Sequence, residues 1–310
     1  MLKGTYVFYE DGKEIYRSEN VITKFGKRFL TNFVAGNVFG FSKDMAFGID
    51  STAATQNDTR LGFEFYRTPV LFGTPDIQTV NNSTSYSVVY KTTISQDIVG
   101  EIYEVGIYPS TRSSINDFDN KYISDFDDAL DWEDSSGNNP SIVNTNYRIG
   151  GNLLRMYATS AAPREYKSNI NSLDLSGYST LDTIKLAYYR EDANLSSIKI
   201  RLYSDPTRYY EATVIPTSGN GYKITADIPL STFFSGSTSP GPDVTNINQI
   251  GIIVTASAGT TYVGMDGLRI NDEDTFDPTF GMISRSVLAV PLSKVSGRQV
   301  DVEYRLNLGF

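Results

Sequence analysis

The 310-residue chain has no cysteine and no histidine. Their absence excludes disulfides, thiolate nucleophiles, histidine-based triads, zinc fingers, and thiolate- or imidazole-ligated haem and iron–sulfur groups, each of which needs a thiol or imidazole group. Stability outside a cell would have to come from packing, assembly or bound ions. Cations are the scarcer charge, 27 Lys and Arg against 36 Asp and Glu, and the net charge of −9 has the wrong sign for wrapping a phosphate backbone. No nucleic-acid partner is expected. No apolar run approaches the roughly 18 residues that cross a bilayer. The opening residues, Met1 to Tyr6, read as a strand rather than as a charged and then apolar leader, so neither a signal peptide nor membrane insertion is expected. Tryptophan occurs once, whereas 21 Tyr and 17 Phe contribute to a 40% apolar composition. Such a chain is too hydrophobic to stay disordered and leans toward strands.

Residues 4–17 alternate around Asp11-Gly12, a two-residue turn signal in which glycine supplies positive φ, and predict an opening β-hairpin. Thr23 is placed to cap a helix with Phe25, Phe29, Leu30 and Phe33 on one face, and Gly36 to end it. This is expected to be the one substantial helix, covering a sheet face; a partner-docking groove is the alternative. Strands are expected at 45–49, 61–65, 85–95, 102–108 and 283–292. In the last run Val300, Val302, Tyr304, Leu306 and Leu308 alternate with Asp301, Glu303, Arg305 and Asn307, so one face is buried and one wet.

The middle of the chain differs in character. Residues 111–277 hold 22 acidic and 13 basic side chains, while 1–110 and 278–310 together are balanced at 14 of each. The entire surplus of negative charge lies in the middle. Linker-like stretches at 109–114 and 272–278 mark its edges. The expected organisation is therefore a discontinuous domain, 1–110 with 278–310, carrying an inserted domain at 111–277, since exposed loop tips with close ends tolerate insertion. Strands are expected in the insert at 152–157, 183–189, 198–203, 209–215, 222–228, 250–255 and 261–270, without helical periodicity. The fold class is all-β: a split β-rich domain with one helix, plus an antiparallel jelly-roll β-sandwich.

Three segments carry a resemblance: Asn20-Val21-Ile22-Thr23-Lys24-Phe25-Gly26, Met45-Ala46-Phe47-Gly48-Ile49-Asp50 and Glu104-Val105-Gly106-Ile107-Tyr108. In this order they resemble the signature of a bacteriophage virion module found at the attachment ends of tail fibres, collar fibres and related surface proteins. In that module the third segment is followed at once by strands like 283–288 and 301–305, whereas here some 170 residues intervene. The insert resembles a carbohydrate-binding-module jelly roll, through Phe126-Asp127 with Trp132, Gly150-Gly151, Asp174 to Tyr178, Ile228 to Ser231, Asn246-Ile247 and Asp266 to Ile270. The resemblance implies a virion structural protein, assembled in the host cytoplasm and localised to the virion. Its split domain would hold it to other virion proteins of a tail, collar or fibre, as a homo-oligomer or in many copies, and its jelly roll would meet a host-surface glycan. A capsid decoration protein and a polysaccharide depolymerase are the alternatives. Catalysis here would require paired carboxylates, and the expectation is a non-enzyme.

Two sets of residues are candidate sites. Eight acidic residues fall between Asp117 and Asp134, opposed only by Lys121, and calcium takes six to eight oxygen ligands. The jelly-roll resemblance implies a calcium ion held by Asp125 or Asp127 with Asp266; the alternative is a solvated acidic loop, since no EF-hand-type spacing is present. Trp132, Tyr189, Tyr203 and Tyr210 are the candidate glycan-stacking residues, because an aromatic face matches the apolar face of a pyranose. Core packing is their alternative role, and in Tyr209-Tyr210 one ring must face inward and the other outward.

Overall fold

The computed structural model describes residues 3–37, 44–80, 83–109, 121–271 and 281–307. The chain divides into two compact units, Met1–Ser113 with Thr275–Phe310 and, between them, Ser114–Asp274. The residues that join them, at 110–120 and 272–280, lie outside the described residues, as do Asp117, Asp119 and Leu308.

Elements are numbered along the chain. The split unit contains β1 (Lys3–Glu10), β2 (Lys13–Glu19), β3 (Val21–Ile22), α1 (Lys24–Val34), β4 (Asp44–Gly48), β5 (Glu64–Pro69), β6 (Leu71–Val80), β7 (Ser83–Ile94) and β8 (Gly100–Tyr108), and closes with β21 (Ser284–Lys294) and β22 (Val300–Asn307). They form two five-stranded sheets, ordered β2-β1-β22-β7-β6 and β3-β21-β8-β4-β5. Both closing strands are internal. β22 pairs β1 in the register Tyr6↔Tyr304 and β7 in the register Tyr90↔Tyr304, and β21 lies between β3 and β8. Val300, Val302, Tyr304 and Leu306 are buried, and pack with Tyr6, Phe8, Phe47, Val105 and Ile283 in a core shared by the two sheets.

Local chemistry explains these elements. Asp11 and Gly12 take φ of 50° and 75°, the paired positive values that a tight hairpin turn requires. The Thr23 hydroxyl accepts the Gly26 N–H at 2.8 Å and caps α1, and Gly36 with φ of 76° follows its end. A Cβ on Gly26 would lie 2.0 Å from the Ile283 carbonyl oxygen, so only glycine lets the helix approach this closely. Glu104, fully buried on β8, accepts N–H bonds from Gly62 and Phe63 at 2.9 Å each and from Asp50 at 3.2 Å. It also pairs with Arg285 at 2.7 Å, while Arg285 reaches Asp58 at 2.8 Å. One carboxylate thus fastens the loop after β4 to the strands on both sides of the insertion.

The inner unit contains β9 (Lys121–Ser124), β10 (Trp132–Asp134), β11 (Ser141–Val143), β12 (Leu153–Thr159), β13 (Arg164–Leu173), β14 (Thr183–Arg190), β15 (Leu195–Asp205), β16 (Arg208–Val214), β17 (Gly221–Ile224), β18 (Ile228–Pro229), α2 (Leu230–Ser235), β19 (Ile247–Ala256) and β20 (Thr260–Asn271). One sheet has the order β10-β13-β19-β15-β16. The other runs β11-β12-β20-β14-β17, with β18 on β14 and β9 on β20. All pairings are antiparallel, and the apolar side chains of the two sheets meet in one core, giving the jelly-roll sandwich. β3, β6, β9, β10, β11, β13 and α2 are not among the expected elements. β13 (REYKSNINSL) buries only Tyr166, Ser168 and Leu173, too weak an alternation to read as a strand.

Candidate functional site

Alternation on β15 decides what the first sheet of the inner unit shows to solvent. Ile198, Ile200 and Leu202 enter the core, so Lys199, Arg201 and Tyr203 stand on the outer face. Register carries the pattern to the neighbouring strands. One outer row is Asn169, Gln249, Tyr203 and Tyr209; the next is Glu133, Lys167, Gly251, Arg201 and Glu211; the third is Glu165, Ile253, Lys199 and Thr213.

These side chains interlock. Glu211 accepts from Lys199 and from Arg201 at 2.7 Å each. Glu165 accepts the Tyr203 hydroxyl and lies 3.3 Å from Arg201. The Arg201 guanidinium sits 4.2 Å over the Tyr209 ring, and the Lys167 ammonium 4.2 Å over that of Tyr203. A Cβ on Gly251 would come within 2.7 Å of Glu165 Oε1 and 2.9 Å of the Tyr203 ring, so the glycine leaves the space in which both lie flat. Burial pushes the Tyr203 hydroxyl up, and its hydrogen bond to Glu165 adds to this. Burial also works to raise the Glu211 carboxyl, but the hydrogen bonds from Lys199 and Arg201 outweigh it and hold the group low.

Toward β10 the face opens into a groove of about 620 Å³ lined by Asp131, Glu133, Glu165, Lys167, Asn169 and Gln249, with Leu130 at its lip. The Gln249 side-chain N–H donates to Asn169 Oδ1 at 3.0 Å, leaving the Asn169 amide nitrogen and the Gln249 carbonyl oxygen to meet a ligand. The rim is fixed by buried Asp134, which accepts N–H bonds from Ser136 at 2.8 Å and Asn138 at 2.9 Å and pairs with Arg164 at 3.0 Å. The result is an open polar trough with donors and acceptors held at set places. It suits a ligand rich in hydroxyl groups.

The four aromatic candidates are not brought together. Trp132 is in the core, its ring 5.0 Å from that of Phe126, which removes it from any exposed platform. Tyr210 also turns inward, 5.0 Å from Phe234, because Ala212 and Val214 on the same side of β16 fill the core. Tyr203 is on the outer face but only 1% exposed, covered by its charged neighbours. Tyr189 lies on the outer face of the other sheet, opposite Tyr222. Asn169 and Gln249 are the additions, and of the pair Tyr209-Tyr210 it is Tyr209 that takes the outer face. Tyr209 follows from alternation once Ala212 and Val214 are assigned inward, whereas nothing in the sequence distinguishes the two amides.

Asp127 and Asp266 do converge. Asp266, on β20 and fully buried, accepts N–H bonds from Arg148 at 2.9 Å and Ile149 at 3.2 Å and the hydroxyl of Tyr222. Its Oδ1, and that of Asp127, are buried without a hydrogen-bond partner. Burial pushes the Asp266 carboxyl up to about 8, and the charge of Asp127 adds to this. Asp127 is pushed up to about 6, by burial and then by the charge of Asp125. Gly150, with φ of 59°, makes room for the Asp127 carboxylate, since a Cβ would lie 1.7 Å from it. Asp125 is exposed, and its Oδ1 accepts the Asp127 N–H at 3.3 Å. Among the described residues no three acidic side chains are grouped so as to hold a metal ion, so a cation here would draw further oxygens from the backbone or water. Two orphaned, buried carboxylate oxygens fit that chemistry.

No protein-family model matches the chain, and no curated protein matches it. Among solved structures it is similar to a family 11 carbohydrate-binding module from Clostridium thermocellum in complex with a β-1,3-1,4-mixed-linked tetrasaccharide, at 18% identity and a TM-score of 0.36, over 49% of this chain and 95% of that one. It is also similar to CBM28, a carbohydrate-binding module specific for non-crystalline cellulose, at 17% identity and a TM-score of 0.34, over 49% and 94%. PfGH50B is similar at 13% identity and a TM-score of 0.35, over 47% of this chain, and the chain spans only 23% of that protein's length.

Proposed function

We propose that the inner unit binds a glycan chain along the outer face of the β10-β13-β19-β15-β16 sheet. The observation that carries this reading is the groove, where a paired Asn169 and Gln249 present an unused amide donor and an unused carbonyl acceptor beside the carboxylates of Asp131 and Glu133. Hydroxyl-rich ligands are recognised by such fixed polar groups, and buried stacking platforms contribute less here because Tyr203 is covered. The role read for the face is binding without cleavage. In support, Glu165 and Glu211 are both tied to Arg201. Calorimetric titration of the full chain with oligosaccharide panels tests the reading. Asn169→Ala with Gln249→Ala should weaken binding at least about tenfold, the loss of two hydrogen bonds, and binding unchanged by both substitutions would overturn it. Reducing-sugar release from the same panel would overturn the non-catalytic part.

The split unit is proposed to anchor the protein in a phage particle, at a tail, collar or fibre, with copies displayed side by side. Its support is the segment signature around Thr23, Phe47 and Glu104, together with the balanced charge of this unit, which lets copies pack without mutual repulsion. Immunogold labelling of purified particles tests it, and absence of the protein from particles would sink it. Calcium is proposed as a structural ion held by Asp127 and Asp266, supported by their two unpartnered oxygens. When bound, the ion would neutralise a carboxylate pair that is otherwise costly to ionise together.

A further inference from the structure

Charge on the outer face of the first sheet is unevenly placed. In its centre three cations, Lys167, Lys199 and Arg201, are shared between two carboxylates, Glu165 and Glu211. At the groove end the balance reverses. Lys167 is the cross-strand neighbour of Glu133, yet its ammonium lies 3.9 Å from Glu165 and over the Tyr203 ring. Asp131 and Glu133, which flank the inward-facing Trp132, are left exposed, and neither side chain forms an ion pair or hydrogen bond among the described residues. Asp134 offers no relief, because its charge is already matched by Arg164 at 3.0 Å.

Resting on the glycan-binding reading above, we propose that the groove selects an amine-bearing glycan, a chain of amino sugars with free ammonium groups, over neutral, N-acetylated or uronic-acid chains. The amide floor of Asn169 and Gln249 would take ring hydroxyls, which every glycan offers. The wall of Asp131 and Glu133 adds a preference that only a cationic sugar satisfies. Both carboxylates are exposed before binding, so little desolvation offsets the attraction. Acetylation removes the ammonium charge, and a uronate is repelled by the same wall.

The test is titration of the full chain, at a pH below the pKa of the sugar amine, with a glucosamine oligomer, its N-acetylated counterpart, a neutral glucan oligomer and an oligogalacturonate. The glucosamine oligomer should bind about tenfold more tightly than the N-acetylated one. That advantage should vanish in Asp131→Asn with Glu133→Gln, and in about 0.5 M salt. Asp11→Asn, a charge loss at the turn of the split unit, should leave it intact. If the neutral or uronate oligomer binds as well as the glucosamine oligomer, or if the advantage survives the double substitution, the selectivity is overturned while glycan binding stands. If no oligosaccharide binds, both readings fall.

Discussion

Each unit carries a network of carboxylates around one arginine, and the two networks differ in what surrounds them. In the split unit Glu104 is fully buried and Arg285 nearly so, and the carboxylate also holds three backbone N–H groups. In the inner unit Arg201 and its partners Glu165 and Glu211 remain about one-fifth exposed on an open sheet face. A sealed network cannot exchange partners with a ligand, and removing one member leaves an uncompensated charge in the interior. An open one stabilises little but keeps charged groups oriented where a ligand can reach them. The same residue types therefore seal one network in the split unit and, under the binding reading proposed above, present charge to a ligand in the inner unit.

The comparison can be broken by substitution. Glu104→Ala should cost about 3–5 kcal/mol, measured as the shift in urea midpoint; a cost below about 1 kcal/mol would show that the sealed network is dispensable. Tyr210→Ser should cost about 2–4 kcal/mol by opening a cavity against Phe234, whereas Tyr209→Ser, on the open side of the same strand, should stay below about 1 kcal/mol. A larger cost at Tyr209 than at Tyr210 would mean that the face assignment of β16 is reversed. The acidic pair of the inner unit is a third case, two carboxylates that each keep one buried oxygen without a hydrogen-bond partner. Chelator should lower the melting temperature of the full chain by the equivalent of about 2–3 kcal/mol if calcium is held at roughly a hundred times its dissociation constant, and Asp266→Asn should abolish that sensitivity. An unchanged melting temperature would remove the calcium proposal. Smallest of all, Arg201→Gln should change stability by no more than about 1 kcal/mol and yet disturb glycan binding, because it releases Glu165 and Tyr209 from their set positions.

Much of this was legible before any coordinates. The hairpin at Asp11-Gly12, the Thr23 cap, the Gly36 stop and the alternation of Val300 to Leu306 are local, and each reports its own backbone requirement. The resemblance implies Asp125 or Asp127 with Asp266, and nothing local signals that it is Asp127: the residues are far apart in sequence and meet only because β20 crosses the middle of its sheet. The aromatic candidates were poorly legible for the opposite reason. A tyrosine is equally at home in a core or on a sheet face, so Trp132 and Tyr210 turned inward while Tyr209 remained outside. β13 was missed because its alternation is largely polar, and with it Glu165, Lys167 and Asn169, three of the residues that line the groove.

What the sequence by itself determined is the class of structure and the chemistry at its disposal: strands from period-two alternation, turns from glycine and aspartate, and no thiol or imidazole with which to act. Side-chain period and backbone preference are properties of a few neighbouring residues, so they are written locally. Which carboxylates are sealed, which are paired and which stand free depends on register between strands distant in the chain. A shift of one residue on β10 or β13 would exchange Glu133 for Trp132, or Lys167 for Ser168, on the outer face, and only the assembled sheets decide that.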